Sequence, residues 1–398
     1  MRRSGPTRDE RDLFDELIRI AGETPFRPPA EEARIRELLA LAHRHALAGL
    51  VATRLLERSG EIPDASAERL RAVADGQRRH AVAVLLVADA VGRALTSASV
   101  PCLVLKGAGL LGLAYRTLAE RDLGDLDVLV PRARMPEAER ALASSGFEEA
   151  VAPRSRGYFE RYHFHIPWRS GTGVGVDLHW DVVRPADGFR PDLEGTFARS
   201  VAPALASGTF RVPCATDAIL LQCLQHHQEG FRRLSRAVDL DRLSRRLSAA
   251  EWEDLVVRAL DAGLGPLAWA GLETSRLVFG TPVPPSVSSA LAPRALARVA
   301  LESLRTDLLL REAADEPDPA IPWLVRIWTA PDGRRRLRVL RHLLALEPGF
   351  WEDRFFVPRS DVPLARRVRA RWQRLAVVAR VVAEQSCRLA SRGTAGRT

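Results

Sequence analysis

Apolar residues recur at helical spacing through the first hundred positions. Between 31 and 58 the set Leu38, Leu39, Leu41 and Ala42 falls on one side of a helical turn, and residues 67–97 keep the same period. No strand signal interrupts residues 8–100. The pattern changes at Val100. The apolar run 100–105 ends in Lys106-Gly107, which predicts a buried strand and a tight turn. A helix is then predicted over 108–119, a strand over 124–130 and a helix over 136–145 closed by Gly146. Further strands are predicted over 147–151, 158–168 and 173–183. Helical period returns at Asp217, with helices predicted over 217–229, 234–246, 249–262, 266–279 and 293–314. Pro-rich connections at 281–285 and 316–322 punctuate this half, and 364–389 has the pattern of a basic amphipathic helix. The chain therefore divides into a helical segment 1–99, a compact α/β catalytic candidate 100–214 and a helical region 215–398. The fold class is α+β.

Composition narrows the functional classes. With 46% hydrophobic and 27% charged residues, this is an ordinary globular chain, not a disordered one. No apolar run nears the roughly 18 residues of a membrane span, and the start lacks an apolar leader, so a cytoplasmic protein is expected. Cys102, Cys214, Cys223 and Cys387 form no C-x-x-C pair, which argues against zinc and against a disulfide framework. A net charge of +9 is compatible with phosphate-bearing partners, but a GC-rich genome yields such Arg-rich, Ala- and Leu-rich chains without selection for binding. The basic runs 334–336 and 366–371 read as solvated faces, and nucleic acid is not indicated beyond charge. One residue departs from this bias. Lys106 is the only lysine among 59 Lys and Arg residues, which points to a position that needs a compact ammonium.

The chemistry-bearing pattern lies just downstream of Lys106. Residues two apart on a strand share a face, so Asp125 and Asp127 are expected side by side, with Leu126 and Val128 turned to the core. Two adjacent carboxylates repel unless a cation sits between them, and a hard divalent ion, Mg²⁺, suits oxygen ligands. The similar Asp239-Leu240-Asp241 falls in a helical pattern, where positions two apart diverge. Lys106, Gly107 and the start of the helix predicted after them form a candidate phosphate site, with Gly124 beside the carboxylates. Gly109 serves either close backbone approach or helix packing. Arg121 is either a second phosphate contact or a structural partner of an aspartate. Asp177, His179 and Asp181 alternate on another strand, and Asp177 is the candidate third carboxylate. His179 is read as orienting a carboxylate, contacting a phosphate, acting as a base or filling a structural role, and Asp181 as ending the strand. The pairs His163/His165 and His226/His227 lack a third ligand at metal spacing.

The segments Val104-Leu105-Lys106-Gly107-Ala108, Arg121-Asp122-Leu123-Gly124-Asp125-Leu126-Asp127-Val128-Leu129-Val130 and Asp177-Leu178-His179-Trp180 together resemble the uncharacterised bacterial nucleotidyltransferase family of the polymerase-beta-like superfamily. The resemblance covers roughly residues 30–250. It implies a minimal nucleotidyltransferase fold, a mixed sheet flanked by helices. It also implies Mg²⁺-dependent transfer of a nucleoside monophosphate from an NTP, ATP or another, with Asp125 and Asp127 as metal ligands. Better-characterised members of the superfamily carry Gly-Ser at the phosphate turn, where Lys106-Gly107 and Ala108 stand here. Three functions follow as expectations: an enzyme acting on an unidentified acceptor (protein, peptide or small molecule), a nucleotide-binding module without turnover, and a helical scaffold or peripheral membrane partner using the basic C-terminal helix.

Overall fold

A computed structural model describes residues 8–301, 321–344 and 362–383, apart from 152–155, 185–186, 188, 204–208, 232, 296, 299–300, 331 and scattered positions beyond 373. Four helices open the chain: α1 (Arg8–Ala21), α2 (Glu32–Arg44), α3 (Ala48–Leu56) and α4 (Asp64–Ser97). The first buries Phe14, Leu17, Ile20 and Ala21, a single stripe at helical spacing. The helical stretch 31–58 is broken at Ala46, whose φ of 53° is left-handed. The new start at α3 is capped from far away in sequence. Asp122 accepts from Ala48 N at 2.9 Å and from Gly49 N at 2.8 Å. Gly49 has to be glycine, because a Cβ there would lie 2.0 Å from the Ala119 carbonyl oxygen.

Five strands follow: β1 (Leu103–Val104), β2 (Leu126–Leu129), β3 (Glu148–Glu149), β4 (His165–Arg169) and β5 (Gly175–His179). They form one mixed sheet in the order β1-β2-β5-β4-β3. Only β2 and β5 pair in parallel; the other three pairings are antiparallel. The predicted helix at 108–119 is reduced to the single turn α5 (Lys106–Gly109). Leu110, Leu111, Ala114, Tyr115 and Ala119 are all buried, the same side chains that one face of a helix would bury. Gly112, at φ 82°, bends the segment instead. The predicted strand 158–168 also splits, into helix α7 (Arg156–Tyr162) and β4. Arg156 ties that helix down, pairing with Glu160 at 2.9 Å, with Glu139 on helix α6 (Met135–Ser144) at 2.5 Å, and with Glu149.

The remaining described helices are α8 (Leu193–Ala198), α9 (Ala215–Gln228), α10 (Leu234–Ser244), α11 (Ala249–Asp261), α12 (Gly265–Phe279), α13 (Pro285–Leu291), α14 (Ile321–Thr329) and α15 (Gly333–Leu344). Four of them, α9 to α12, fall where the periodicity puts them, and α11 opens on a capping box between Ser248 and Glu251. Most of the predicted helix 293–314 lies outside the described residues, and of the predicted helix 364–389 residues 364–373 are described and helical.

Two large hydrophobic cores organise the described residues, beside a small cluster of Ile327 and Val339. One joins α1–α3 to α9–α13, with Leu17, Leu50, Ile219, Leu240 and Leu267 fully buried. The other lies under the sheet, with Leu126, Val128, Val176 and Leu178 against Leu142 of α6. Helix α4 serves both, placing Leu70 and Ala74 in the first and Val84, Ala88, Val91 and Leu95 in the second. By length and composition α4 is apolar enough to cross a membrane, but those residues here fill the two cores.

Candidate functional site

The parallel pairing of β2 with β5 sets the geometry. Its register places Asp127 opposite Asp177, between the pairs Leu126–Val176 and Val128–Leu178. Those four apolar residues face the core under the sheet, so both carboxylates project from the other side. Asp125 lies just before β2 rather than on it, and is exposed. Its carboxylate rests over the start of β5, where a Cβ on Gly175 would come within 2.5 Å of Asp125 Oδ1. Gly175→Ala is expected to displace Asp125 and leave the melting temperature within a few degrees. If Asp125 serves turnover, activity falls about tenfold, roughly the 1.4 kcal/mol of one misplaced contact. Parallel melting and rate measurements check this.

Lys106 and His179 flank Asp127. Lys106 sits at φ 50°, a left-handed conformation rare for a residue with a side chain. Its Nζ lies 2.5 Å from Asp127 Oδ1, and His179 Nε2 lies 2.9 Å from the same oxygen. Burial pushes the Asp127 carboxyl up, but Lys106 and His179 outweigh it and hold the group well below the usual carboxylate range. Asp177 goes the other way. Burial raises its proton affinity, His179 offsets part of that, and Asp127 and Asp125 add to it. Two carboxylates in register thus have their proton affinities pushed apart. Asp181 accepts from Val182 N at 2.7 Å and Val183 N at 3.3 Å and so turns the chain at the strand end.

A further candidate for holding an ion lies here that spacing alone did not show. The β4–β5 hairpin aligns His165 with His179. His165 Nε2 lies 3.7 Å from Asp177 Oδ2, and one ligand atom each from His165, Asp177 and His179 fall within 4.8 Å of one another. Burial, with His179 beside it, lowers the His165 pKa to about 3, so the ring is neutral at pH 7. The clue in the sequence was the turn. Ser170 N donates to Val174 O at 3.0 Å around Gly173 at φ 85°, and a hairpin centred there must pair 165 with 179.

Arg121 is a correction. It is buried and paired in a fork with Asp239 of α10, each nitrogen–oxygen distance being 2.9 Å, while its third nitrogen donates to Asp122 O at 2.6 Å. Tyr115 donates its hydroxyl to the same aspartate. Arg121 therefore fixes the loop to α10 and does not reach a phosphate. Arg121→Met is expected to cost about 3–5 kcal/mol in urea denaturation by stranding the Asp239 charge, and the double change with Asp239→Leu to recover most of it. The glycines divide. A Cβ on Gly109 would lie 2.5 Å from the Val104 carbonyl oxygen, so that position is needed for packing on β1. A Cβ on Gly107 would meet Leu123 Cδ2 at 3.0 Å, and Gly124 is exposed, with open space where a Cβ would stand. With α5 cut to four residues, the long helix expected to present its N–H groups to a phosphate is absent. His226 and His227 are buried in α9, where His227 Nε2 meets Thr329 Oγ1 at 3.0 Å, and they take no part in the site.

A narrow cavity runs from Lys106 and His179 along Phe164 to Leu221 and Leu224 of α9. The arrangement is thus a rim of three carboxylates, one ammonium and two imidazoles on the open side of a mixed sheet. A family model described as an uncharacterised nucleotidyltransferase matches residues 31–280, from α2 to just past α12, with the whole sheet inside it. The chain belongs to this nucleotidyltransferase family. No match was found among the curated proteins. Membership supports nucleotidyl transfer as the general chemistry of the fold. In this family member, the Arg121-Asp122 half of the motif anchors the loop to α10 and α3, and the Asp125-Leu126-Asp127 half carries the acidic groups.

Proposed function

We propose that the protein is a Mg²⁺-dependent nucleotidyltransferase that moves a nucleoside monophosphate from an NTP to a hydroxyl of an unidentified acceptor. The observation that carries this reading is the β2–β5 register, which sets Asp127 beside Asp177 with Asp125 at the rim. The donor set suits a hard cation: Asp127 and Asp177 are opposite in register, Asp125 lies over the start of β5, and Lys106 is the only Lys or Arg ammonium or guanidinium paired to them among the described residues. Asp125, Asp127 and Asp177 would hold the ion. When bound, it neutralises phosphate charge and acidifies the acceptor hydroxyl.

The chain's own groups do the rest. Lys106 holds the triphosphate, exchanging its contact with Asp127 for a phosphate oxygen. Asp177, with its raised proton affinity, takes the hydroxyl proton. The acceptor oxygen bonds to the α-phosphorus as the α–β bridge breaks, and pyrophosphate leaves. Positioning and charge neutralisation supply the rate. The acceptor is a protein, peptide or small molecule.

A second reading, a nucleotide-binding module without turnover, draws on the double engagement of Asp127 Oδ1 by Lys106 and His179. One experiment separates the two. The protein is incubated with each α-labelled NTP, Mg²⁺ and cell extract, and labelled products are identified by mass spectrometry. Transfer that Asp177→Asn removes supports the enzyme. NTP binding with no labelled product from any extract supports the module.

A further inference from the structure

The same strands carry a second set of ligands with different chemistry. His165 and His179 contribute nitrogen and Asp177 contributes oxygen, with one ligand atom from each within 4.8 Å of the others. Ligands bonded to one ion at about 2.0–2.2 Å stand roughly 3–4 Å apart, so small side-chain shifts close this set on a common ion. His165 Nε2 is already 3.7 Å from Asp177 Oδ2. His179 is fully buried, whereas the His165 and Asp177 side chains are 19% and 23% exposed, which leaves a path for entry.

His179 can offer a nitrogen to such an ion. Its Nδ1 faces the Asp181 carbonyl oxygen at 3.3 Å, and its Nε2 faces Asp127 Oδ1 at 2.9 Å. Without an ion an Nε2–H serves the Asp127 carboxylate. In the tautomer that ligates through Nε2, the Nδ1–H meets the Asp181 carbonyl, and a backbone carbonyl holding the opposite N–H is the usual support of a metal-bound histidine. His165 Nδ1 is buried with no hydrogen-bond partner among the described residues. The ring is therefore held by packing against Phe164 and His179 and keeps its other nitrogen for a ligand.

We propose that His165, Asp177 and His179 form a site for a divalent transition-metal ion of the Mn²⁺, Co²⁺ or Zn²⁺ class, bound there in preference to Mg²⁺. Imidazole suits these borderline ions, whereas Mg²⁺ favours an all-oxygen shell and sheds its water reluctantly. The site shares Asp177 with the carboxylate set described above. It stands whether or not nucleotide transfer occurs.

The test uses the full-length, untagged protein and the metals alone. Mn²⁺ and Mg²⁺ are titrated calorimetrically, and the Mn²⁺ complex is examined by pulsed electron paramagnetic resonance for couplings to imidazole nitrogen. Mn²⁺ should bind at least tenfold more tightly than Mg²⁺, with nitrogen couplings present. His165→Gln should weaken Mn²⁺ at least tenfold, and Asp125→Asn should leave the couplings in place. Equal affinity for the two ions, or bound Mn²⁺ without nitrogen coupling, overturns the site. The spectrum of the unaltered protein decides even if His165→Gln fails to fold. Absence of NTP turnover beside intact nitrogen couplings counts against the transferase reading alone.

Discussion

Asp127→Asn is expected to lower nucleotidyl transfer at least about 10³-fold, the scale of losing a charge that acts directly on the transition state. The substitution keeps the shape of the side chain and an oxygen that faces His179. It removes the negative charge that, on this account, attracts a divalent ion to the register position opposite Asp177. The fold should survive. Lys106 would lose its partner, but its side chain is 23% exposed and can turn to water. The cost in stability is then well under the roughly 3–5 kcal/mol of stranding a fully buried charge. Turnover within tenfold of the unaltered protein, at an unchanged melting temperature, would remove Asp127 from the chemistry.

The second large effect is on stability against pH, and it comes from histidines outside the site. Burial lowers the pKa of His45 to about 4, helped by Arg44 and Arg233. Burial likewise takes His226 to about 4 and His227 to about 3, the latter with Arg326 beside it. Unfolded histidine titrates near 6.5. Above that pH both states are neutral and the three rings cost nothing. Below it the unfolded chain takes up protons that the folded chain refuses. Each ring then removes about 1.4 kcal/mol of stability per pH unit, until its folded pKa is passed. Between pH 6.5 and 5 the three together remove about 5 kcal/mol, comparable with the whole stability of many domains. Asp127, whose pKa is depressed in the folded state, adds to the loss only as pH falls below the usual carboxylate range. The urea midpoint, followed by tryptophan fluorescence, should be flat from pH 8 to 7 and collapse between 6 and 5. A midpoint unchanged from pH 7 to 5 would show that these rings take up protons without unfolding the chain.

How much the sequence disclosed depended on the range of the interaction. Helices α9 to α12 follow from the local sequence pattern; α11 buries the single face Trp252, Leu255 and Ala259, whereas α10 is buried along its whole length. Asp127 and Asp177 stood out as acidic side chains on short apolar strands, and Asp125 as their neighbour one residue before β2. Lys106 stood out because its type survived against the bias of the chain, and it lies on Asp127. Hidden from that reading were contacts between distant segments. Arg121 and Asp239 are 118 positions apart, and no local pattern shows that one neutralises the other. The residues after Gly109 carry apolar side chains at helical spacing, yet the chain turns at Gly112, whose φ is 82°. His165 joined the site only through a hairpin register set by the turn after Ser170.

The most direct test of the converging carboxylates is anomalous diffraction from crystals soaked with Mn²⁺ and a non-hydrolysable NTP analogue. An ion coordinated by both Asp127 and Asp177, with Lys106 Nζ moved onto a phosphate oxygen, is the predicted result. Lys106 still resting on Asp127, with no ion within bonding distance of Asp177, would contradict it.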